Sequence, residues 1–204
     1  MTQDRTSHWE KVYDEKTETE LSWHQADPEV SLELCKQAGP IASVVDVGAG
    51  TSQFAERLLQ LGIRDVTVLD IAESAVERAR QQTGEPGKSI DWVVADVTTW
   101  TPERTFDLWH DRAVFHFLVD REDRAAYIDR LGRALRPGGH AIIATFAPDG
   151  PEKCSGLPVV RYSPESLGAV LGAKFELVTS RRDLHQTPWG SPQSFQFSLF
   201  KLKE

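Results

Sequence analysis

Between Ser43 and Ser52 a β-branched run, Val44-Val45-Asp46-Val47, breaks into Gly48-Ala49-Gly50 and is followed by a helical stripe of Phe54, Leu58 and Leu61 that closes at Gly62. This order fixes the local topology as strand, tight loop, helix. Glycines in such a turn let the backbone approach a ligand closely, and a helix start adds free N–H groups with a partial positive charge. The stretch reads as a ligand cradle. Two glycines alone do not name its ligand.

The pattern then repeats. Val66-Thr67-Val68-Leu69-Asp70 reads as a second strand, and Ala75, Val76 and Ala79 as a helix closing near Gly84. Ile90 to Asp96 is a third strand and Phe106 to Asp111 a fourth. Asp120 is placed to cap a helix with Tyr127, Ile128, Leu131 and Leu135 inward, and Arg136-Pro137-Gly138-Gly139 turns the chain into a fifth strand, His140 to Phe146. Strands alternating with helices imply right-handed crossovers and a doubly wound, mostly parallel sheet, with ligands at the carboxyl ends of the strands. Asp46, Asp70 and Asp96 fall at three such ends. The tail differs: Ser163-Pro164 opens a short helix, and Phe175 to Arg182 and Ser194 to Leu202 read as an antiparallel pair joined by about a dozen residues.

Ahead of the cradle, residues 1 to 26 carry Trp9, Tyr13 and Trp23 among polar residues with no clean period and no cap, as in a segment that folds over something else. Asp27-Pro28-Glu29 then supplies a cap, a helix-opening proline and an acidic first turn for a helix bearing Val30, Leu34 and Ala38, stopped at Gly39-Pro40. The expected division is an N-terminal lid segment and helix at 1–40 and the main domain at 41–204. A chain of 204 residues with 40 % hydrophobic content fits one α/β domain burying roughly 70 % of its unfolded surface. Its apolar runs fall short of the about 20 residues of a membrane span, and its start lacks the apolar core of a signal peptide. With only two cysteines, Cys35 and Cys154, a reducing, cytoplasmic setting is expected, for a monomer or homodimer. A net charge of −8 weighs against nucleic acid as a partner. No Cys or His cluster has metal-ligand spacing.

An acid at the end of the second strand suits the two hydroxyls of a ribose. Nicotinamide dehydrogenases use the same geometry, but their third glycine would fall at position 53, where this chain has Gln53. Asp46, just before the first glycine, disfavours a phosphate and favours an amino group or a cationic sulfur.

Taken together, these stretches resemble the class I S-adenosylmethionine-dependent methyltransferases. Val44 to Gly50 looks like that family's first motif, Val68-Leu69-Asp70-Ile71 its ribose-binding strand, and Ala95-Asp96-Val97 its adenine-contacting strand end. Phe106 to Asp111 and Leu135-Arg136-Pro137-Gly138-Gly139 resemble its fourth strand and the turn before its fifth. Many members carry a third glycine where this chain has Ser52, a residue able to cap the following helix. The resemblance implies a single-domain Rossmann-like fold with S-adenosylmethionine as cofactor. Gly48, Ala49 and Gly50 would bring backbone to the methionine, Asp46 would lie near its amino group, and Asp70 would hold the ribose. Ile71 and Val97 would sandwich adenine, with Asp96 accepting from its exocyclic amine. Asp111 would lie beside the methyl end, and Asp111 and His116 are the candidate general bases. His8-Trp9-Glu10-Lys11-Val12-Tyr13 and Leu21-Ser22-Trp23-His24-Gln25 are similar to the lids of thiopurine- and thiol-type methyltransferases and of certain protein-lysine methyltransferases, where Tyr13 and Trp23 would cover the cofactor. Transfer to a small-molecule acceptor at sulfur, nitrogen or oxygen is the expectation. The alternatives are a protein-lysine acceptor, an NAD-dependent oxidoreductase and a cofactor-binding protein without activity.

Overall fold

A computed structural model describes residues 2–204. Its main sheet has seven strands: β1 (Ser43–Val47), β2 (Asp65–Asp70), β3 (Asp91–Val94), β4 (Phe106–Arg112), β5 (Leu135–Phe146), β8 (Phe175–Gln186) and β9 (Pro192–Leu202). They lie in the order β3-β2-β1-β4-β5-β9-β8, parallel from β3 to β5, with β9 antiparallel to both of its neighbours. Between β5 and β8 come a two-strand ribbon, β6 (Lys153–Cys154) with β7 (Leu157–Pro158), and a helix, α6 (Pro164–Leu171). The helices ahead of it are α1 (Thr2–Glu15), α2 (Glu29–Gln37), α3 (Phe54–Gln60), α4 (Glu73–Thr83) and α5 (Arg121–Ala134).

The inner strands are apolar on both faces because both are covered. Val44, Leu108, Ile142 and Ala144 face a core with Val30 and Leu34 of α2 and Phe54 and Leu58 of α3, whereas Val45, Val47, Trp109 and Ile143 face Tyr127 and Leu131 of α5 and Leu167 of α6. By the same alternation, Asp46 and His110 turn toward the α2 and α3 side and Asp111 toward α5. The strand order reverses between β1 and β4, and that switch point opens the crevice in which such sheets bind ligands.

Several local expectations are corrected. Residues 2–15 are helical: Arg5, Trp9, Val12 and Tyr13 recur at i, i+4, i+7 and i+8, and Val12 and Tyr13 pack with Leu21, with Ala72 just ahead of α4 and with Ala75 on it. A stripe so narrow and so polar around its edges was not readable as a helix. Leu61 is 56 % exposed and lies just past α3. Asp27 does not cap α2, whose first residue follows Pro28, and instead holds Arg57 at 2.5 Å. Asp120 stands at the cap position of α5 but its side chain makes no cap bond. Ser52, by contrast, accepts from the Phe54 N–H at 3.1 Å and steadies the first turn of α3. Strand β3 ends at Val94, two residues before Asp96. The expected turn at 136–139 is an excursion within β5, whose pairing jumps from Phe106–Leu135 to Leu108–His140. The loop between β8 and β9 is only residues 187–191, because both strands run longer than the sequence indicated. Helix α2 shares the core of β1, so of the segment before residue 41 it is α1 that lies over the sheet edge. Among the described residues no helix is long and apolar enough to cross a membrane.

Candidate functional site

The loop after β1 is held from the neighbouring strand. Gly48 N–H donates to the Leu69 carbonyl at 2.6 Å, and Gly50 N–H to Asp70 Oδ2 at 2.8 Å. Both glycines have positive φ, 61° and 54°, a conformation costly to any side chain. A Cβ at Gly48 would overlap Val114, and one at Gly50 would overlap the Tyr13 hydroxyl. The bend therefore needs glycine for its backbone and for the close approach of its neighbours.

Asp46 lies beneath this loop, 1 % exposed. Its Oδ1 is 2.7 Å from His110 Nδ1, and His110 Nε2 is 2.8 Å from the Ser31 hydroxyl. A carboxylate accepts only, so Nδ1–H donates to Asp46, and in the neutral ring Nε2 then accepts from the Ser31 hydroxyl. The ring also stacks on Phe54 at 3.9 Å. Asp46 Oδ2, held rigidly by this arrangement, has no partner among the described residues. It borders a polar recess lined also by Gly48, Ala49, Thr51, His24 and Arg112.

A larger, mostly apolar cleft adjoins it, with about 750 Å³ of empty space when its open mouth is included. Gly48, Trp23 and Arg112 border both spaces. Asp70, Ile71, Asp96 and Val97 form one wall of the cleft, Val114, Phe117 and Leu118 another, and Arg5, Trp9 and Tyr13 of α1 the roof. Asp70 accepts from Gly50 N–H and from Ala72 N–H, the latter at 3.0 Å, which leaves lone pairs on both oxygens. Burial pushes its carboxyl up to about 6, against the backbone N–H bonds that lower it. Asp96 uses Oδ1 for the Thr98 N–H and hydroxyl, while Oδ2 has no hydrogen-bond partner and only a loose ion pair with Arg5 at 3.7 Å. Trp9 meets both Trp23 and Phe117 edge-to-face.

All ten expected cofactor residues, Tyr13, Trp23, Asp46, Gly48, Ala49, Gly50, Asp70, Ile71, Asp96 and Val97, thus come together here; nine line the two spaces, and Gly50 abuts Tyr13 just behind them. The two expected bases do not line either space. Asp111 is fully buried on the α5 side, accepting from Val114 N–H, Phe115 N–H and the Tyr127 hydroxyl at 2.8, 3.0 and 2.5 Å. Its carboxyl, pushed by burial to about 6, shapes the turn that presents Val114. His116 is also fully buried; its Nδ1 accepts from Phe146 N–H at 3.3 Å, and burial beside cationic Arg112 pulls it down to about 3. It is neutral at physiological pH and packs against Phe146 and Phe117.

Three contributors escaped the sequence reading of the site: Arg5, His110 and Arg112. His110 stands 64 residues from Asp46 and Arg112 89 from Trp23, and no local pattern reports such pairings. The Asp-Arg pair ending β4 was the one available signal, since charged residues at the carboxyl end of a central strand seldom serve packing.

A seven-stranded sheet of this order, with a glycine bend after β1 and acids at the ends of β1 and β2 and just past β3, defines a class of protein. Residues 44–139, just under half of the chain, match the family described as a methyltransferase domain. Among curated relatives, nodulation protein S of Rhizobium tropici is 35 % identical over 114 residues, covering 56 % of this chain and 47 % of that protein. The eEF1A lysine and N-terminal methyltransferase of Mus musculus is 24 % identical over 147 residues, 69 % of this chain and 21 % of that one. The chain therefore spans about half the length of the first relative and a fifth of the second. Among solved structures, the N-methyltransferase NodS of Bradyrhizobium japonicum WM9, in complex with S-adenosyl-L-homocysteine, superposes with a TM-score of 0.73 at 21 % identity, covering 96 % of this chain and 98 % of that one.

Proposed function

We propose that the chain transfers a methyl group from S-adenosylmethionine to a small-molecule nucleophile that enters the cleft beneath α1. The observation that carries this reading is the set of three carboxylates on one crevice beside a bare glycine bend, two of them with an oxygen that accepts no hydrogen bond. Buried acceptors without donors are costly, and an adenosine with an amino-acid end supplies donors of the required kinds. Asp46 Oδ2 would accept from the ammonium, Asp70 from the ribose hydroxyls and Asp96 Oδ2 from the adenine amine, between Ile71 and Val97. The bound cofactor supplies a methyl group on a sulfonium, already an excellent leaving group. What remains for the chain is to orient the acceptor and exclude water. Trp9, Tyr13 and Trp23 close the cleft with aromatic faces, which also favour a cationic sulfur. Asp111 and His116 act at a distance, by holding the Val114 to Phe117 turn.

A small acceptor suits a cleft roofed by α1 and lined mainly by apolar side chains. A protein-lysine acceptor is the second reading, supported by the likeness to the eEF1A lysine and N-terminal methyltransferase. Incubating the protein with methyl-labelled S-adenosylmethionine and cell extract tests both. Label in the low-mass fraction is expected. Label in protein favours the second reading, and none in either fraction overturns methyl transfer.

A further inference from the structure

Asp46 has a counterpart of opposite charge on the same recess. Arg112, the last residue of β4, is buried at its head, with Nη1 donating to the Trp23 carbonyl at 2.8 Å and the guanidinium lying 4.8 Å over the Phe195 ring. Nε and Nη2 are buried and have no partner among the described residues. No carboxylate of the described residues pairs with it; Asp183 acts on it only through space. Burial pulls the group down to about 10, so it stays charged at neutral pH.

A buried, unpaired guanidinium is costly unless something arrives to pair with it. The two free nitrogens define the kind of partner. Nε–H and the adjacent Nη2–H lie on one edge of the planar fork and point the same way, matching the two oxygens of a carboxylate. Arg112 and Asp46 line the same recess, so it offers a free cation edge and a free carboxylate oxygen. An α-amino acid zwitterion carries the two complementary charges on one carbon.

We propose that the Nε–Nη2 edge of Arg112 receives the carboxylate of the amino-acid end of S-adenosylmethionine, while Asp46 takes its ammonium. The inference rests on the cofactor reading above. It makes Arg112 a group that selects for the intact amino-acid end. It also accounts for Trp23: the carbonyl that orients Arg112 belongs to the segment whose ring borders both spaces, so carboxylate binding and closure of the segment share one side chain.

Calorimetric titration with S-adenosylmethionine and with decarboxylated S-adenosylmethionine, which keeps the ammonium and lacks only the carboxylate, separates the possibilities. The wild type is expected to bind the decarboxylated compound at least about tenfold more weakly, as expected for loss of a charge-assisted pair; equal affinities overturn the proposal without reference to any variant. Arg112→Met keeps the stem over Phe195 and is expected to weaken S-adenosylmethionine by about tenfold or more while changing the decarboxylated compound little. Equal losses for both compounds assign Arg112 a purely structural role and overturn the proposal. Unchanged affinity for both does the same and directs the guanidinium to an anionic group on the acceptor. Arg112→Lys is expected to restore part of the loss. Failure of the wild type to bind S-adenosylmethionine at all instead sinks the cofactor reading itself.

Discussion

Helix α1 is fastened over the cleft by a carboxylate it lends to another helix. Glu10 accepts from Glu73 N–H at 2.6 Å, Ser74 N–H at 3.2 Å and the Ser74 hydroxyl at 2.5 Å, capping the start of α4, whose own cap position, Ala72, has no side-chain oxygen to offer. In return Arg78 of α4 donates to the Tyr13 and Lys16 carbonyls at the end of α1. Loss of a side-chain cap costs roughly 0.5–2 kcal/mol. Glu10 is partly exposed, so solvent screening trims the charge contribution and about 1 kcal/mol is the working figure for Glu10→Ala. If α1 opens as a local unit, that change multiplies its open population about fivefold. Hydrogen exchange followed by mass spectrometry is the assay. Protection in residues 2–15 and in the first turn of α4 should fall about fivefold, with β1 and β4 unchanged. Unaltered exchange in α1, or a uniform increase across the sheet, would refute the latch. The pH dependence has a definite sign. Burial raises the Glu10 carboxyl, but bonds from the Ser74 hydroxyl and two backbone N–H groups outweigh it, so the group sits below its ordinary 4.5. The latch is therefore at full strength above that value and weakens as pH falls through the lower one, where wild type and Glu10→Ala should converge.

Asp70 tests the cost of keeping a binding carboxylate buried. Its folded value of about 6 against an ordinary 3.8 means that the folded protein keeps a proton the unfolded chain has lost, so stability without ligand declines between about pH 4 and 6. Asp70→Asn removes that decline. In chemical denaturation the variant should gain on wild type by up to about 3 kcal/mol between pH 4 and 7, yet lose roughly 1–3 kcal/mol of cofactor affinity; a pH-independent difference would discredit the burial argument. Gly50→Ala combines a strained φ with an overlap on the Tyr13 hydroxyl and should cost on the order of 2 kcal/mol. Adding Tyr13→Phe should restore part of it, and strict additivity in the double-mutant cycle would show the contact to be irrelevant. His116→Gln should leave the pH profile of transfer unchanged, because a ring titrating near 3 does not change charge in the working range; loss of a limb near neutrality would reinstate it as a base. Asp111→Asn, which replaces one accepting oxygen by an amide nitrogen facing buried donors, should lower the melting temperature by several degrees near pH 4, below the range where burial of the charge penalises the wild type, for a loss of roughly 1–3 kcal/mol. A large fall in kcat with unchanged stability would contradict its placement behind the cleft.

The order of strands and helices, the glycine bend and the acidic strand ends were legible in the sequence because each is written in a few consecutive residues. Period, turn chemistry and chain length between elements are local properties, and together they leave one sensible way to wind a parallel sheet. Even the antiparallel end could be read, since the stretch joining its strands was too short for a crossover helix. Helix α1 was not legible: its stability comes from Glu10 and Tyr13 meeting Glu73 and Arg78 of α4 some sixty residues later, and its own stripe of Trp9, Val12 and Tyr13 is too slight to declare itself. Asp111 and His116 were misplaced for a related reason. Both stand in the right stretch, but whether a side chain ending a strand faces the crevice or the core depends on the pleat and on what covers each face. The sequence by itself therefore determined which backbone segments meet at the sheet edge. Only the tertiary structure decided which charges there are spent wholly on the protein's own groups, as in Asp111, and which keep an atom free of hydrogen bonds, as in Asp46, Asp96 and Arg112, because that depends on partners brought together by packing across many tens of residues.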